Sequence, residues 1–157
     1  SRKIGVQMCE FLRLHRELNK KEALYLCEQA MIQAGLADTK RILNSRPYQL
    51  SGGMLQRVLI ALAIAGKARL VIADEPTTAL DAIHRDRAVE QLLKLREQGC
   101  AILIVTHDFD VARHMEGHVL IMKEGRMVER GSAKEVLQNP KAGYTKELIE
   151  AIYLGWG

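Results

Sequence analysis

Leu70-Val71-Ile72-Ala73-Asp74-Glu75-Pro76 reads as a short apolar strand that stops on two adjacent carboxylates. An unbroken apolar run of this length suits a buried strand of a parallel sheet, covered on both faces. Pro76 has no N–H to give and would end ladder pairing at once. Further along, Ala101 to Val105 repeats the apolar pattern and runs into Thr106-His107-Asp108. Between the two strands, Ala82 to Gln98 carries apolar residues at helical spacing, and Ser51 to Ala65 does so before the first. This alternation predicts parallel strands with helical crossovers, an α/β fold.

Outward from this centre the pattern changes. Toward the N-terminus, Asn19-Lys20-Lys21-Glu22 resembles a capping box, and Ala23, Leu26, Cys27, Ala30, Met31 and Ala34 recur at helical spacing before Gly35. A shorter helix is expected around Val6 to Leu14, and Asp38 caps another turn that ends before Pro47. Residues 4–50 therefore form a small helical subdomain, followed by a core portion over 51–131. Toward the C-terminus, Val119 to Met122 and Met127 to Arg130 are joined by Lys123-Glu124-Gly125-Arg126, which has the glycine a hairpin turn needs. Ser132-Ala133-Lys134-Glu135 repeats the capping box and opens a terminal helical region over 132–157.

With 157 residues, 48% hydrophobic and 27% charged, the chain is long and apolar enough for one packed core. The longest apolar stretch, Val58 to Ala65, falls far short of the roughly 20 residues of a membrane-spanning helix, so a membrane role is expected to come through a partner. The formal charge of +4 is spread among acids, and only 4% of residues are aromatic, which argues against nucleic-acid binding. Cys9, Cys27 and Cys100 form an odd set without CxxC spacing in apolar segments, the usage expected of reduced thiols in the cytoplasm. Ser1-Arg2-Lys3 carries neither an initiator Met nor the apolar stretch of a secretion signal, and the start reads as a cut.

Four segments bear on chemistry. Leu50-Ser51-Gly52-Gly53-Met54-Leu55-Gln56-Arg57 opens a helix with a capping serine and two residues without side chains, a helix end suited to anions. A plain capped turn is the other reading of the same residues. Asp74 and Glu75 stand at the C-terminal end of a parallel strand, where open α/β sheets bind ligands. There an Asp can hold Mg²⁺ through water while its neighbour orients and deprotonates an attacking water; an acidic turn is the alternative. His107 would be delivered to the same sheet edge and could hydrogen-bond a terminal phosphate or that water, or could be a satisfied structural residue. Asp81, after Thr77-Thr78-Ala79-Leu80, reads by itself as a helix cap.

Taken together and in this order, these segments resemble the nucleotide-binding domain of ABC transporters: a signature at Leu50 to Gln56, a Walker B strand at Leu70 to Asp74 with Glu75 after it, a D-loop at Ala79-Leu80-Asp81 and an H-loop at His107. The Met and Leu inside the signature, the Asp-Glu-Pro-Thr-Thr run, and Asn139-Pro140 with Tyr144-Thr145 look like the oligopeptide, dipeptide and nickel importer branch. The resemblance implies a partial P-loop NTPase fold with ATP and Mg²⁺ as ligands. Ser51, Gly52 and Gly53 would contact the γ-phosphate of ATP bound on an opposing subunit, with Gln56 counted among the nucleotide-binding residues. Asp74 would belong to the Mg²⁺ site and Glu75 would be the general base. Asp81 would link the two sites and His107 would sense the phosphate. Implied partners are a second ATP-binding subunit, homo- or heteromeric, membrane permease subunits and, indirectly, a substrate-binding protein, at the cytoplasmic face of the membrane.

The pattern is incomplete. A Walker A loop needs Gly, four residues, then Gly-Lys-Ser/Thr, and Gly66-Lys67 has Ala61 at the first position and Ala68 at the last. Gln7 is too close to the signature to be the Q-loop residue. Without a phosphate cradle the isolated chain is expected neither to bind MgATP tightly nor to hydrolyse it; the resemblance places the missing Walker A strand beside Ala101 to Val105, which implies an unpaired edge there. A non-catalytic interaction module and a soluble ABC ATPase are the competing functions.

Overall fold

The computed structural model describes residues 1–77 and 82–154. They divide into two compact units, Ser1–Val105 and Thr106–Gly157.

In the first unit, helices α1 (Ile4–Arg16), α2 (Lys20–Gln33) and α3 (Thr39–Asn44) lead through a 3₁₀ turn, Pro47–Gln49, into α4 (Gly52–Gly66). The capping chemistry read from the sequence is present. Asn19 Oδ1 accepts the N–H groups of Lys21 and Glu22 at 2.9 and 3.1 Å, and Glu22 returns a carboxylate to the Asn19 N–H at 2.9 Å. Asp38 accepts from the Arg41 N–H at 3.2 Å and starts α3. Gly35 takes φ +78° just past α2, the left-handed turn that ends the helix. Met8, Leu12, Cys27, Met31 and Ile42 are fully buried among these helices, and the alanines Ala23, Ala30, Ala34, Ala61 and Ala65 let α2 and α4 approach closely.

Strand β1 (Leu70–Asp74), helix α5 (Ala82–Glu97) and strand β2 (Ala101–Val105) complete the unit. β1 and β2 pair in parallel, from Leu70 opposite Ala101 to Asp74 opposite Val105. Here the structure corrects one expectation. The strands are not covered on both sides: Leu70, Ile72, Leu103 and Val105 share one face and are 54%, 64%, 48% and 52% exposed. Val71, Ala73, Ile102 and Ile104, on the other face, are half-buried. Helix α5, in which Ala88, Val89, Leu92 and Leu95 are buried, packs on β2.

The second unit begins with α6 (Phe109–Met115), a short helix that the sequence reading did not include. Strands β3 (His118–Lys123) and β4 (Arg126–Ser132) follow as an antiparallel hairpin. Glu124 at φ 49° and Gly125 at φ 75° give the two consecutive left-handed residues of a primed turn. Helix α7 (Ala133–Gln138) starts from Ser132, whose Oγ accepts the Glu135 N–H at 3.2 Å while Glu135 answers to the Ser132 N–H at 3.2 Å. Helix α8 (Gly143–Leu154) ends the described chain. The Glu129 carboxylate accepts the N–H groups of Lys141 and Ala142 at 2.8 and 3.1 Å, tying the segment before α8 to β4. No helix among the described residues is long and apolar enough to cross a membrane.

Candidate functional site

Ser51 has extended backbone angles, φ −68° and ψ 159°, and its Oγ accepts the Met54 N–H at 3.3 Å, so it is the N-cap of α4. Ser51 and Gly52 are exposed, and a Cβ placed on Gly52 would meet nothing within 4 Å. The positive end of a 15-residue helix therefore opens to solvent with no side chain in front of Gly52. An anion could reach the backbone there directly.

The acidic pair sits at the C-terminal end of β1. Asp74 is its last paired residue and is exposed. Glu75 donates its N–H to the Val105 oxygen at 2.8 Å, extending the ladder by one bond, and then turns the chain with φ 47°. A left-handed conformation at a residue other than glycine costs on the order of 1–3 kcal/mol and clusters at functional sites. Nothing in the identity of Glu75 favours that conformation, so the surrounding bonds must hold it.

One of those bonds comes from the helix tip's own element. Gln56, just over one turn into α4, donates its Nε2 to the Pro76 oxygen at 2.9 Å. The glycine-opened helix and the acidic turn are thereby fastened to each other within one unit, and Thr77, next in the chain, is buried. The sequence reading counted Gln56 with nucleotide-binding residues; in the structure its amide is engaged inside the chain.

Both ends of α4 are anchored as well. Arg57 Nη1 donates to the Gly35 oxygen at 3.2 Å beyond α2, and Arg16 Nη1, at the end of α1, donates to the Ala65 oxygen at 2.8 Å. The second contact puts a guanidinium on the negative end of the α4 dipole. An open cleft of about 260 Å³ lies beside the tip, lined by Gly35, Gly53, Gln56, Arg57 and Arg87 among others; neither acid lines it.

His107 belongs to the second unit, two residues past β2 in sequence, and is exposed. Its neighbours fix its backbone: the Asp108 N–H donates to Thr106 Oγ1 at 3.0 Å, and Asp108 Oδ1 accepts the Asp110 N–H at 2.9 Å to start α6. Asp81, with Thr78, Ala79 and Leu80, lies outside the described residues. Thus Ser51, Gly52, Gly53, Gln56, Asp74 and Glu75 share the first unit. Among the described residues no group of three or more His, Cys, Asp or Glu could hold a metal ion.

Residues 3–78, which contain both the helix tip and the acidic turn, match the model of the ABC transporter family. Residues 3–78 are an ABC transporter domain. The chain is 42% identical over 147 residues to the metal-staphylopine import system ATP-binding protein CntD of Staphylococcus aureus, covering 93% of this chain and 54% of that protein. It is 39% identical over 150 residues to the oligopeptide transport ATP-binding protein OppD of Lactococcus lactis, covering 95% of this chain and 44% of the relative. The chain thus spans about half the length of these relatives. Among solved structures, cbiO1 of Clostridium perfringens, part of the ABC transporter complex cbiONQ, superposes with a TM-score of 0.72 at 28% identity over 98% of this chain and 58% of that one. The ATP-binding cassette MJ0796, in a dimeric post-hydrolysis state bound to ADP and Pi, superposes with a TM-score of 0.62 at 33% identity, covering 74% of this chain and 49% of the other. The parallel pair, the helices around it and the antiparallel hairpin are therefore those of an ABC ATPase fold.

Proposed function

We propose that this chain supplies the signature and acidic-strand portion of an ATP-hydrolysing subunit that drives an importer of peptides or metal complexes. The observation that carries the reading is the acidic turn: Asp74 closing a parallel strand, Glu75 held left-handed after it, and the signature helix bonded to that turn through Gln56. The importer class rests on the import systems to which CntD and OppD belong by name.

Ser51, Gly52 and Gly53 suit a phosphate because the tip offers backbone N–H groups, a hydroxyl and no blocking side chain. Asp74 suits Mg²⁺ because it is exposed and acidic, with room for the water and phosphate ligands that this ion prefers to a protein cage. Bound there, Mg²⁺ would neutralise phosphate charge. Glu75 would take a proton from the attacking water, and its fixed backbone would hold the carboxylate in one direction. His107 would donate or accept a hydrogen bond at the terminal phosphate, and Asp81 would connect the two sites of a dimer. Gln56 would serve the nucleotide site through the Pro76 turn. The partners would be a second ATP-binding subunit and membrane permease subunits, placing the protein peripherally on the cytoplasmic face of the membrane. The present chain alone would lack the phosphate cradle and would not turn over.

In the full-length protein, Glu75→Gln keeps shape and hydrogen-bonding atoms but removes the base. ATP binding, read by nucleotide filtration, should persist while steady-state phosphate release is lost. Unchanged phosphate release would remove Glu75 from this role.

A further inference from the structure

Adjacent residues near the start of α4 are bonded to different neighbours. Gln56 donates to the Pro76 oxygen at 2.9 Å, and Arg57 Nη1 donates to the Gly35 oxygen at 3.2 Å. Gly35 belongs to the turn that stops α2: its N–H donates to the Ile32 oxygen at 2.9 Å, and the Leu36 N–H reaches back to the Met31 oxygen at 2.9 Å. These paired bonds close the helix, and the Gly35 oxygen just beyond them takes the guanidinium at the negative end of the α2 dipole.

Side chains of consecutive helical residues point about 100° apart around the axis. One bond leaves a helix start free to roll about that axis, whereas two bonds in different directions remove the freedom. Packing constrains the roll less, because α2 and α4 pack together with buried alanines, Ala30, Ala34, Ala61 and Ala65, whose small side chains give shallow ridges. Arg57 lies one turn after Gly53, so its bond acts on the turn that presents the tip. We propose that Arg57 is a positioning residue for the phosphate: by holding the Gly35 carbonyl it sets the direction in which Ser51, Gly52 and Gly53 offer their N–H groups. The role rests on the phosphate reading of that tip, and Arg57 would act through the tip without touching the nucleotide. Arg16 supplies a natural control, since its 2.8 Å bond to the Ala65 oxygen is of the same kind but lies about 20 Å along the helix from Ser51.

The test compares Arg57→Met, Arg57→Lys and Arg16→Met in the full-length protein. Methionine keeps a long chain and removes the donors; lysine keeps one cationic donor. Steady-state phosphate release gives kcat, nucleotide filtration gives ATP affinity, and thermal unfolding gives stability. Hydrogen exchange at the Leu55 amide, which bonds the Ser51 oxygen at 3.0 Å, reads the first turn of α4. In Arg57→Met, Leu55 exchange should rise and kcat should fall, each about tenfold, with ATP affinity unchanged. Arg57→Lys should restore most of both. Arg16→Met should lose as much stability as Arg57→Met yet keep wild-type kcat and Leu55 exchange. Unchanged Leu55 exchange in Arg57→Met, or an equal loss of kcat in Arg16→Met, would overturn the positioning role. The phosphate reading fails separately: wild-type turnover in Ser51→Asp would remove it, while Leu55 exchange raised in Arg57→Met alone would still uphold Arg57 as the residue that sets the tip.

Discussion

Replacing Gln56 by alanine removes a hydrogen bond that fastens α4 to the turn after Glu75. The Nε2 to Pro76 oxygen distance is 2.9 Å in a partly buried setting. A neutral bond of this kind contributes a net 0.5–1.5 kcal/mol, roughly, and a carbonyl left without a partner raises the loss toward about 1–3 kcal/mol. Pro76 is half-buried, so water can reach its oxygen and the lower range applies. Alanine recovers a few tenths of a kcal/mol through its helix propensity. The net expectation for Gln56→Ala is a loss of about 1 kcal/mol. Gln56→Glu is the sharper probe: it keeps the volume but turns a donor into a charged acceptor facing a carbonyl, and its loss should exceed that of alanine. Urea denaturation of the full-length protein gives the stabilities. Hydrogen exchange at the Glu75 amide, whose bond to Val105 depends on the turn, gives the local effect. Gln56→Glu as stable as wild type, with unchanged exchange at Glu75, would show that the bond does not hold the turn.

Three further outcomes follow from the same geometry. Ser51→Ala should lose about 1 kcal/mol of stability with its N-cap, whereas Ser51→Asp keeps a capping acceptor and should retain stability while its charge abolishes ATP turnover; equal turnover in both variants would detach the helix tip from phosphate. Glu129 is held below the ordinary carboxylate range, first by the nearby Thr145 hydroxyl and then by the Lys141 N–H. A lowered folded value means stability that is present above the ordinary value of 4.5 and lost as pH falls through the folded one, so Glu129→Gln should flatten the acid limb of the denaturation midpoint. Cys27 runs the other way: its raised value gives stability that is complete below about 9.0 and lost as pH rises toward about 12, and Cys27→Ala should remove that alkaline loss, checked by the midpoint across the same range.

Local chemistry made much of the fold legible. Asn19 with Glu22, and Ser132 with Glu135, announced helix starts because the capping groups are neighbours in sequence. Gly125 announced the hairpin because a primed turn demands left-handed residues. Helix α6 was hidden because seven residues give no readable period, and because Asp108, its cap, stood beside a histidine that invited a chemical reading. The open face of β1 and β2 was hidden for a different reason. An apolar run such as Leu70 to Ala73 is written identically whether one or both faces are covered, and the covering layer is decided by other segments. Glu75 was legible as an acid but not as a left-handed residue. Its amide bonds to Val105, and the Pro76 oxygen after it bonds to Gln56, both far from it in sequence.

That difference bears on how the candidate site works. A helix tip and a strand end on separate, loosely joined elements would adjust independently to a nucleotide, and neither position would report on the other. Here α4 is bonded near its start to the Pro76 carbonyl, beside the same start to the Gly35 carbonyl, and at its far end through the Arg16 guanidinium. Three bonds along one helix make the tip, the acidic turn and the α1–α2 pair a single mechanical body within the unit. In the proposed dimer, a phosphate drawn to Ser51 and Gly52 would therefore pull on the same body that carries Glu75. Closure at one nucleotide would then bear on the position of the acid serving the other, alongside the connection proposed for Asp81.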